Sequence, residues 1–439
     1  MSERIVIIGA GQAGAQAVAT LRAEGFTGSI AMIGDEPFAP YQRPPLSKAY
    51  LSGALERERL FLKPDAFYTE AKCELILGVG AKSIDRARKS VLLTDGRTLA
   101  YDKLLIATGS RVRRIPVPGA DLKGIHYLRG IADVDALRPA FVKGARLAVV
   151  GGGYIGLEVA AVAVKHGLDV TVFESLDRVM ARAVSPQVSA FFEDVHRAAG
   201  VRFLMNTTVE AFEGSGKLAA LRAGGAAHAA GIALVGIGIV PNVELAKDAG
   251  LACTDGIVVN RFAETEDPAI FAAGDCTRHE GREGDPIRLE SVQNAIDQAK
   301  HAALAMVGKH TPYGEAPWFW SDQYDLKLQI AGLAKHGDTI VVRGAPASRK
   351  FAAFHHRPAC RHLHLMLFAV VLDIFDFGHG CSLEPPRGAT CQTMFFIGMV
   401  VSASRSGGTW ARSAISLRPT IYSGAALTAS TAATRPARR

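Results

Sequence analysis

The chain has 439 residues, of which 49% are apolar and 21% charged, with a formal net charge of +8. That length predicts two or three domains, and that balance excludes a disordered or fibrous chain. The charge is uneven: from Arg357 onward there are nine arginines, no lysine and three acids, so the tail holds six of the eight net positive charges, and a nucleic-acid-binding body is not expected. In chain order, the apolar strand Ile5–Ile8 runs into Gly9-Ala10-Gly11-Gln12-Ala13-Gly14. A helix is predicted from Gln12 to Glu24, then a strand from Ser29 to Ile33 closing at Gly34-Asp35-Glu36. A stiff loop with Pro37, Pro40, Pro44 and Pro45 suits the holding of a ligand. Weak strands follow near 74–77 and 90–93, and an apolar one over 103–107.

A second strand–turn–helix unit opens at Arg146, with Gly151-Gly152-Gly153-Tyr154-Ile155-Gly156, a helix over 154–166 and a strand over 169–173 ending at Glu174. The Gly/Ala-rich stretch 214–231 reads as a weakly specified hairpin, and 232–240 as one strand closed by Pro241. The strand 268–273, leading into Gly274-Asp275, and a helix over 292–307 return to the first domain. From Pro317 a further unit starts, with strands near 326–331, 339–343 and 350–354. The chain starts its first strand at Arg4, which leaves no room for a signal peptide. No apolar run reaches the ~18 residues of a membrane span. The longest, Leu363–Phe377, is broken by His364, Asp373 and Asp376, and the expected compartment is the cytoplasm.

A glycine turn between strand and helix brings a pyrophosphate onto the helix N-terminus. One such turn is weak; two, 142 residues apart and each followed by an acid about 20 residues on, predict two dinucleotides in one protein. That is the layout of a flavoenzyme reduced by a nicotinamide. In the first turn Gly9 makes the bend, Gly11 admits the pyrophosphate and Gly14 lets helix and strand pack; Asp35 or Glu36 takes the adenosine ribose. Glu174 accepts ribose hydroxyls and repels a 2′-phosphate, so NADH is expected over NADPH.

Lys48 ends the proline-rich loop and Glu158 lies one turn into the second domain's helix. If the domains face each other, the two meet at the flavin's reactive edge, where an ammonium stabilises negative charge. The competing reading is two solvated surface charges. Trp318 to Tyr324 holds two of the three tryptophans, as core packing or as a cover over the flavin and a docking surface for an electron carrier. Cys73, Cys253, Cys276, Cys360, Cys381 and Cys391 include no closely spaced pair, so neither a catalytic dithiol nor a zinc site is expected, and no metal.

Five segments, taken together, resemble the FAD-dependent ferredoxin reductase family that includes the putidaredoxin and rubredoxin reductases. They are Pro40–Lys48 (PYQRPPLSK), Gly151–Glu158 (GGGYIGLE), Phe271–Cys276, Arg288–Val292 and Pro317–Tyr324 (PWFWSDQY). The resemblance covers residues 1 to about 356. It implies an α/β architecture with two Rossmann-like domains and an α+β C-terminal interface domain that looks incomplete. The FAD domain would be 1–112 plus 245–315, the NADH domain 113–244, the start of the interface domain 316–356, and the atypical tail 357–439. It also implies FAD contacts at Ala13, Asp35, Arg43, Lys48, Ala81, Arg129, Asp275, Glu290 and Val292. NADH contacts are implied at Gly151, Gly153, Tyr154, Ile155, Gly156, Glu174 and Gly238, with Trp320 at the partner-docking face.

Such proteins pass a hydride from NADH to FAD and then single electrons to an iron–sulfur protein. The implied partner is a small acidic [2Fe-2S] ferredoxin, or a rubredoxin, serving a P450 or a ring-hydroxylating dioxygenase. The chain would work as a monomer or weak dimer. Three other readings are an NADH oxidase of the same fold, a redox-sensing protein resembling apoptosis-inducing factor, and an inactive product with a damaged C-terminus. The oxidase reading is opposed by the lack of a cysteine near Lys48. After His355 the pattern is lost: lysine disappears and the chain ends in a Ser/Thr/Ala/Arg mixture over 402–439. A reading-frame change near residue 357 accounts for this; the alternative is a genuine divergent extension. The sheet begun after Pro317 is then expected to keep an open edge.

Overall fold

The computed structural model describes residues 3–281, 284–334 and 337–356, and the backbone of the strand 367–373. All of these lie in one compact unit, Met1–Phe377.

β1 (Arg4–Ile8) leads through the first glycine turn into α1 (Gln12–Ala23), and β2 (Ser29–Gly34) follows. β1 is the middle strand of a five-stranded parallel sheet, in the order Ile270–Ala272, Lys103–Ile106, β1, β2, Cys73–Leu77. The strand Ile270–Ala272 thus comes back to this sheet from beyond the second domain. Parallel strands covered on both faces read as unbroken apolar runs, and Ile5, Val6 and Ile7 are fully buried.

The second domain repeats the plan. β3 (Arg146–Val150), α2 (Tyr154–Lys165) and β4 (Asp169–Phe173) form its strand–helix–strand unit. Its sheet, again parallel, has the order Arg202–Leu204, β4, β3, Ile232–Val235, Ile125–His126. α3 (Pro186–Ala198), which the sequence reading missed, starts at Ser185, whose hydroxyl accepts from the Val188 amide, with Pro186 in the first turn. The helix buries Val188, Phe191 and Phe192.

One strand reading needs correction. The stretch 232–240 is not one strand: Ile232–Val235 belongs to the second sheet, while Ile239–Pro241 pairs antiparallel with Ser110–Val112. The break falls at Gly236-Ile237-Gly238, where Gly238 takes a φ of +104°. The stretch 214–231 holds the expected hairpin, Leu218–Ala223 with Ala226–Ala229 around Gly224-Gly225, and Val209–Gly214 extends it to a three-stranded meander.

α4 (Val292–Met306) packs its alanines, Ala295, Ala299 and Ala302, against Ala13, Ala17 and Leu21 of α1 in one core. The third unit is a five-stranded antiparallel sheet. It contains β5 (Trp318–Gln323), β6 (Leu326–Gly332), β7 (Thr339–Ala345), β8 (Lys350–His356) and β9 (Leu367–Asp373), in the order β5-β6-β9-β8-β7. β9 lies in the segment where the sequence showed no pattern, and it pairs with both β6 and β8. The sheet therefore takes a central strand from beyond residue 357, where the sequence reading placed none. The stretch 402–439, and with it the expectation of a changed reading frame, lies outside the described residues. One core cluster joins all three units, with Leu46 and Tyr50 from the first, Leu157 and Phe192 from the second, and Leu326 and Leu328 from the third.

Candidate functional site

The two glycine turns are built alike. Gly9 has a φ of +124°, and a Cβ there would sit 2.1 Å from the Ala107 carbonyl oxygen. Gly151 has a φ of +104°, and its Cβ would sit 2.4 Å from the Gly236 oxygen. Only glycine lets each turn pass under the neighbouring strand. Gly11 and Gly153, the residues before each helix, have open space where a side chain would be. Neither helix carries an acid in its first turn, so the positive ends of α1 and α2 are left uncompensated.

Around the first turn, Asp275 accepts from the Ser110 hydroxyl at 2.8 Å and pairs with Arg129 at 3.2 Å. The turn that carries it is close to α1: a Cβ on Gly274 would lie 3.5 Å from the Ala13 Cβ. Arg129 Nε is buried with no protein partner. Arg43 donates to the Arg129 carbonyl at 2.7 Å and pairs with Glu36, which also accepts from the Tyr41 hydroxyl. Glu36 is thereby tied into this network, while Asp35 beside it is exposed. Ala81 adjoins Asp35 through Gly80, and Val292 opens α4 beyond its Ser291 cap. Glu290 pairs with Arg288 and lies within the electrostatic reach of Asp275 and Arg129. An orphaned guanidinium nitrogen on the partner of Asp275, together with bare helix amides and an open glycine cradle at α1, fits the pyrophosphate of a dinucleotide.

In the second turn Glu174 accepts from the Gly152 amide at 2.7 Å and from the Leu176 amide at 2.8 Å. Gly156 packs against the turn, Ile155 is exposed, and Gly238 stands in the break after Val235. The Tyr154 hydroxyl is buried without a partner, and its ring lies 4.5 Å from that of Phe319.

Lys48 and Glu158 meet. Lys48 Nζ lies 2.7 Å from Glu158 Oε2, in a site where Glu158 is 4% exposed. The Ser47 hydroxyl donates to the same carboxylate oxygen, and the Ser321 hydroxyl donates to Oε1 at 2.6 Å. Glu158 on α2 is thus held by the first domain on one side and by β5 on the other. Behind Ser321, Gln323 Nε2 donates to its hydroxyl at 3.2 Å, and Gln323 Oε1 lies 2.9 Å from Nε2 of the fully buried His196. Burial lowers the His196 pKa to about 4. The ring is neutral above that value, with Nε2–H donating to Gln323 and Nδ1 accepting from the Tyr324 hydroxyl at 3.0 Å. Trp320 is not in this group: it stacks on Trp318, with ring centroids 5.1 Å apart, on the other face of β5. Sequence reasoning missed Ser47, Ser321, Gln323 and His196.

Among the described residues no cluster suits a metal ion, no cysteine pair is present, and no helix is long and apolar enough to cross a membrane.

Two dinucleotide-binding units joined by a charge pair define an NAD(H)-dependent flavoprotein oxidoreductase. The chain belongs to the pyridine nucleotide–disulphide oxidoreductase family, whose model matches residues 3–299, and the reductase C-terminal model matches residues 318–360. It is 47% identical over 355 residues to rhodocoxin reductase of Rhodococcus erythropolis, covering 80% of this chain and 83% of that one. It is 43% identical over 357 residues to the ferredoxin–NAD(+) reductase component of the anthranilate 1,2-dioxygenase system of Burkholderia cepacia, covering 80% and 87%. Among solved structures, putidaredoxin reductase in its covalent complex with putidaredoxin matches with a TM-score of 0.81 and 40% identity, over 84% of this chain and 89% of that one. Within the family the chain is of the ferredoxin reductase type, FAD- and NAD(H)-dependent.

Proposed function

We propose that the chain carries electrons from NADH, in preference to NADPH, to a small acidic [2Fe-2S] ferredoxin or a rubredoxin that serves a P450 or a ring-hydroxylating dioxygenase. The observation that carries this reading is the Lys48–Glu158 pair, formed between the domains that hold the two glycine turns. Bound FAD supplies a two-electron acceptor that releases electrons singly. Gly9, Gly11, Gly14, Arg129 and Asp275 hold it at α1, and Gly151, Gly153 and Gly156 hold the nicotinamide dinucleotide at α2. Lys48 offsets negative charge that develops on reduction. Glu158 fixes the ammonium in place.

Trp318 and Trp320 lie half-buried on the face of β5 away from Glu158, and that face receives the electron carrier. No dithiol is needed between donor and acceptor in this reading. The working unit is a monomer or weak dimer in the cytoplasm.

The first experiment is the visible spectrum of the purified protein before and after anaerobic NADH. A yellow protein that bleaches, and whose bleaching slows ~100-fold in Lys48→Met, is the expected result. A yellow protein that NADH leaves unchanged would defeat the reading. Reduction of an acidic ferredoxin should then weaken as salt is raised, and an unchanged rate between low and high salt would remove the electrostatic part of the docking.

A further inference from the structure

We propose that Ser321 is a positioning residue for Glu158, and that the third domain orients the carboxylate that faces Lys48. The inference rests on the role given to the Lys48–Glu158 pair above. β5 has a period of two, so Phe319, Ser321 and Gln323 share one face. Each touches the second domain: Phe319 the ring of Tyr154, Ser321 the carboxylate of Glu158, and Gln323 the imidazole of His196. The hydrogen bonds run in one direction. The Tyr324 hydroxyl donates to His196 Nδ1, His196 Nε2 to Gln323 Oε1, Gln323 Nε2 to Ser321 Oγ, and Ser321 Oγ to Glu158 Oε1. The neutral His196 ring allows this order, because one nitrogen must accept while the other donates. A chain of donors aligned head to tail polarises each member, and its last proton points at the carboxylate.

Ser321, Gln323 and His196 are each fully buried to within 1%, so water does not replace a lost member. With Oε1 held by Ser321, the second oxygen is left for Lys48 and Ser47. A side chain held at one oxygen by β5 and at the other by the first domain has one rotamer in which both are satisfied. The third domain therefore does more than receive the electron carrier: it completes the site where NADH is used.

The test compares wild type, Ser321→Ala, Glu158→Gln and the double variant as FAD-loaded proteins. Rapid mixing with NADH gives the rate of flavin reduction, and the crystal structure of Ser321→Ala gives the place of Glu158. We expect Ser321→Ala to slow reduction about tenfold with little change in the NADH concentration for half-saturation, and to add nothing in the Glu158→Gln background. The Glu158 carboxylate should turn away from Lys48. Should Ser321→Ala fail to hold FAD, Ser321→Thr and Ser321→Val, alike in shape, give the same comparison, and only Thr should retain the rate. A Glu158 carboxylate still beside Lys48, a rate equal to wild type, or additive losses would overturn the proposal while leaving the charge pair its role. A wild-type rate in Glu158→Gln would overturn that role and the proposal with it.

Discussion

Both oxygens of Glu174 are held by backbone amides, Gly152 on one side and Leu176 on the other. Oε1 also accepts from the Ser175 hydroxyl at 3.3 Å, so of the two oxygens Oε2, with one partner, keeps a lone pair open for a further donor. Glu174 thus locks the glycine turn to the end of β4, and in the proposed function its charge is what disfavours a 2′-phosphate. Replacing it with alanine should weaken NADH ~10-fold or more, the worth of a hydrogen bond to a charged group. NADPH should lose far less, so the ratio of kcat/KM for NADH over NADPH falls. An unchanged ratio would leave Glu174 only a structural part. At this scale the sequence marks Lys48, Glu158 and Glu174 through their motifs. His196 carries no such mark, and Ser321, although inside the Pro317–Tyr324 segment, is not singled out by it: their partners lie 127 and 163 residues away, and no spacing along the chain encodes a contact made by three domains.

Among elements, the strand–glycine–helix units were legible because local sterics dictate them. A Cβ on Gly14 would sit 2.1 Å from the Gly9 carbonyl oxygen, so the crossing of β1 and α1 demands glycine whatever the rest of the fold does. Gly14→Ala should therefore push α1 off the turn and yield protein purified with much less FAD, read as the ratio of flavin to protein absorbance. Gly156→Ala, whose Cβ would meet the Gly151 oxygen at 2.3 Å, should keep its yellow colour and lose NADH reduction. Equal flavin loss in both would mean that the two turns do not serve different dinucleotides. Elsewhere the signal was present but not enough to read. α3 has a Ser-Pro start and buries Val188, Phe191 and Phe192, a helical spacing set in a run that also holds polar residues. The false strand over 232–240 shows the reverse: an apolar run reads as continuous although Gly238 turns the chain from one sheet to another. β9 is legible only as a tertiary fact, since it is the pairing with β6 and β8 that makes it a strand.

For the whole molecule, the buried histidines set how stability answers to acid. His196 and His279 are 0% and 4% exposed, and burial lowers each pKa to about 4. In the unfolded chain a histidine takes its proton near 6.5. Between those values the unfolded state binds more protons, so stability is complete above about 6.5 and is lost as pH falls towards 4. His301 acts the other way. Although burial opposes its charge, the bond to Glu315 at 2.9 Å raises its pKa, while Glu315 itself is lowered to about 2. Its contribution is full below about 6.5 and is lost as pH rises through the raised value. Glu315 is 36% exposed, so solvent screening holds this pair to about 1 kcal/mol or less. Each buried neutral histidine can account for up to about 3 kcal/mol across its window, so the acid-sensitive pair dominates. Urea unfolding should show stability falling as pH is lowered from 7 to 5, before most carboxylates titrate. In His196→Gln, which keeps a polar group beside Gln323 but binds no proton, the decline should be visibly shallower. An identical slope would mean that His196 is charged in the folded protein. The directed hydrogen-bond chain ending on Glu158 needs a neutral ring, so that result would also remove its physical basis.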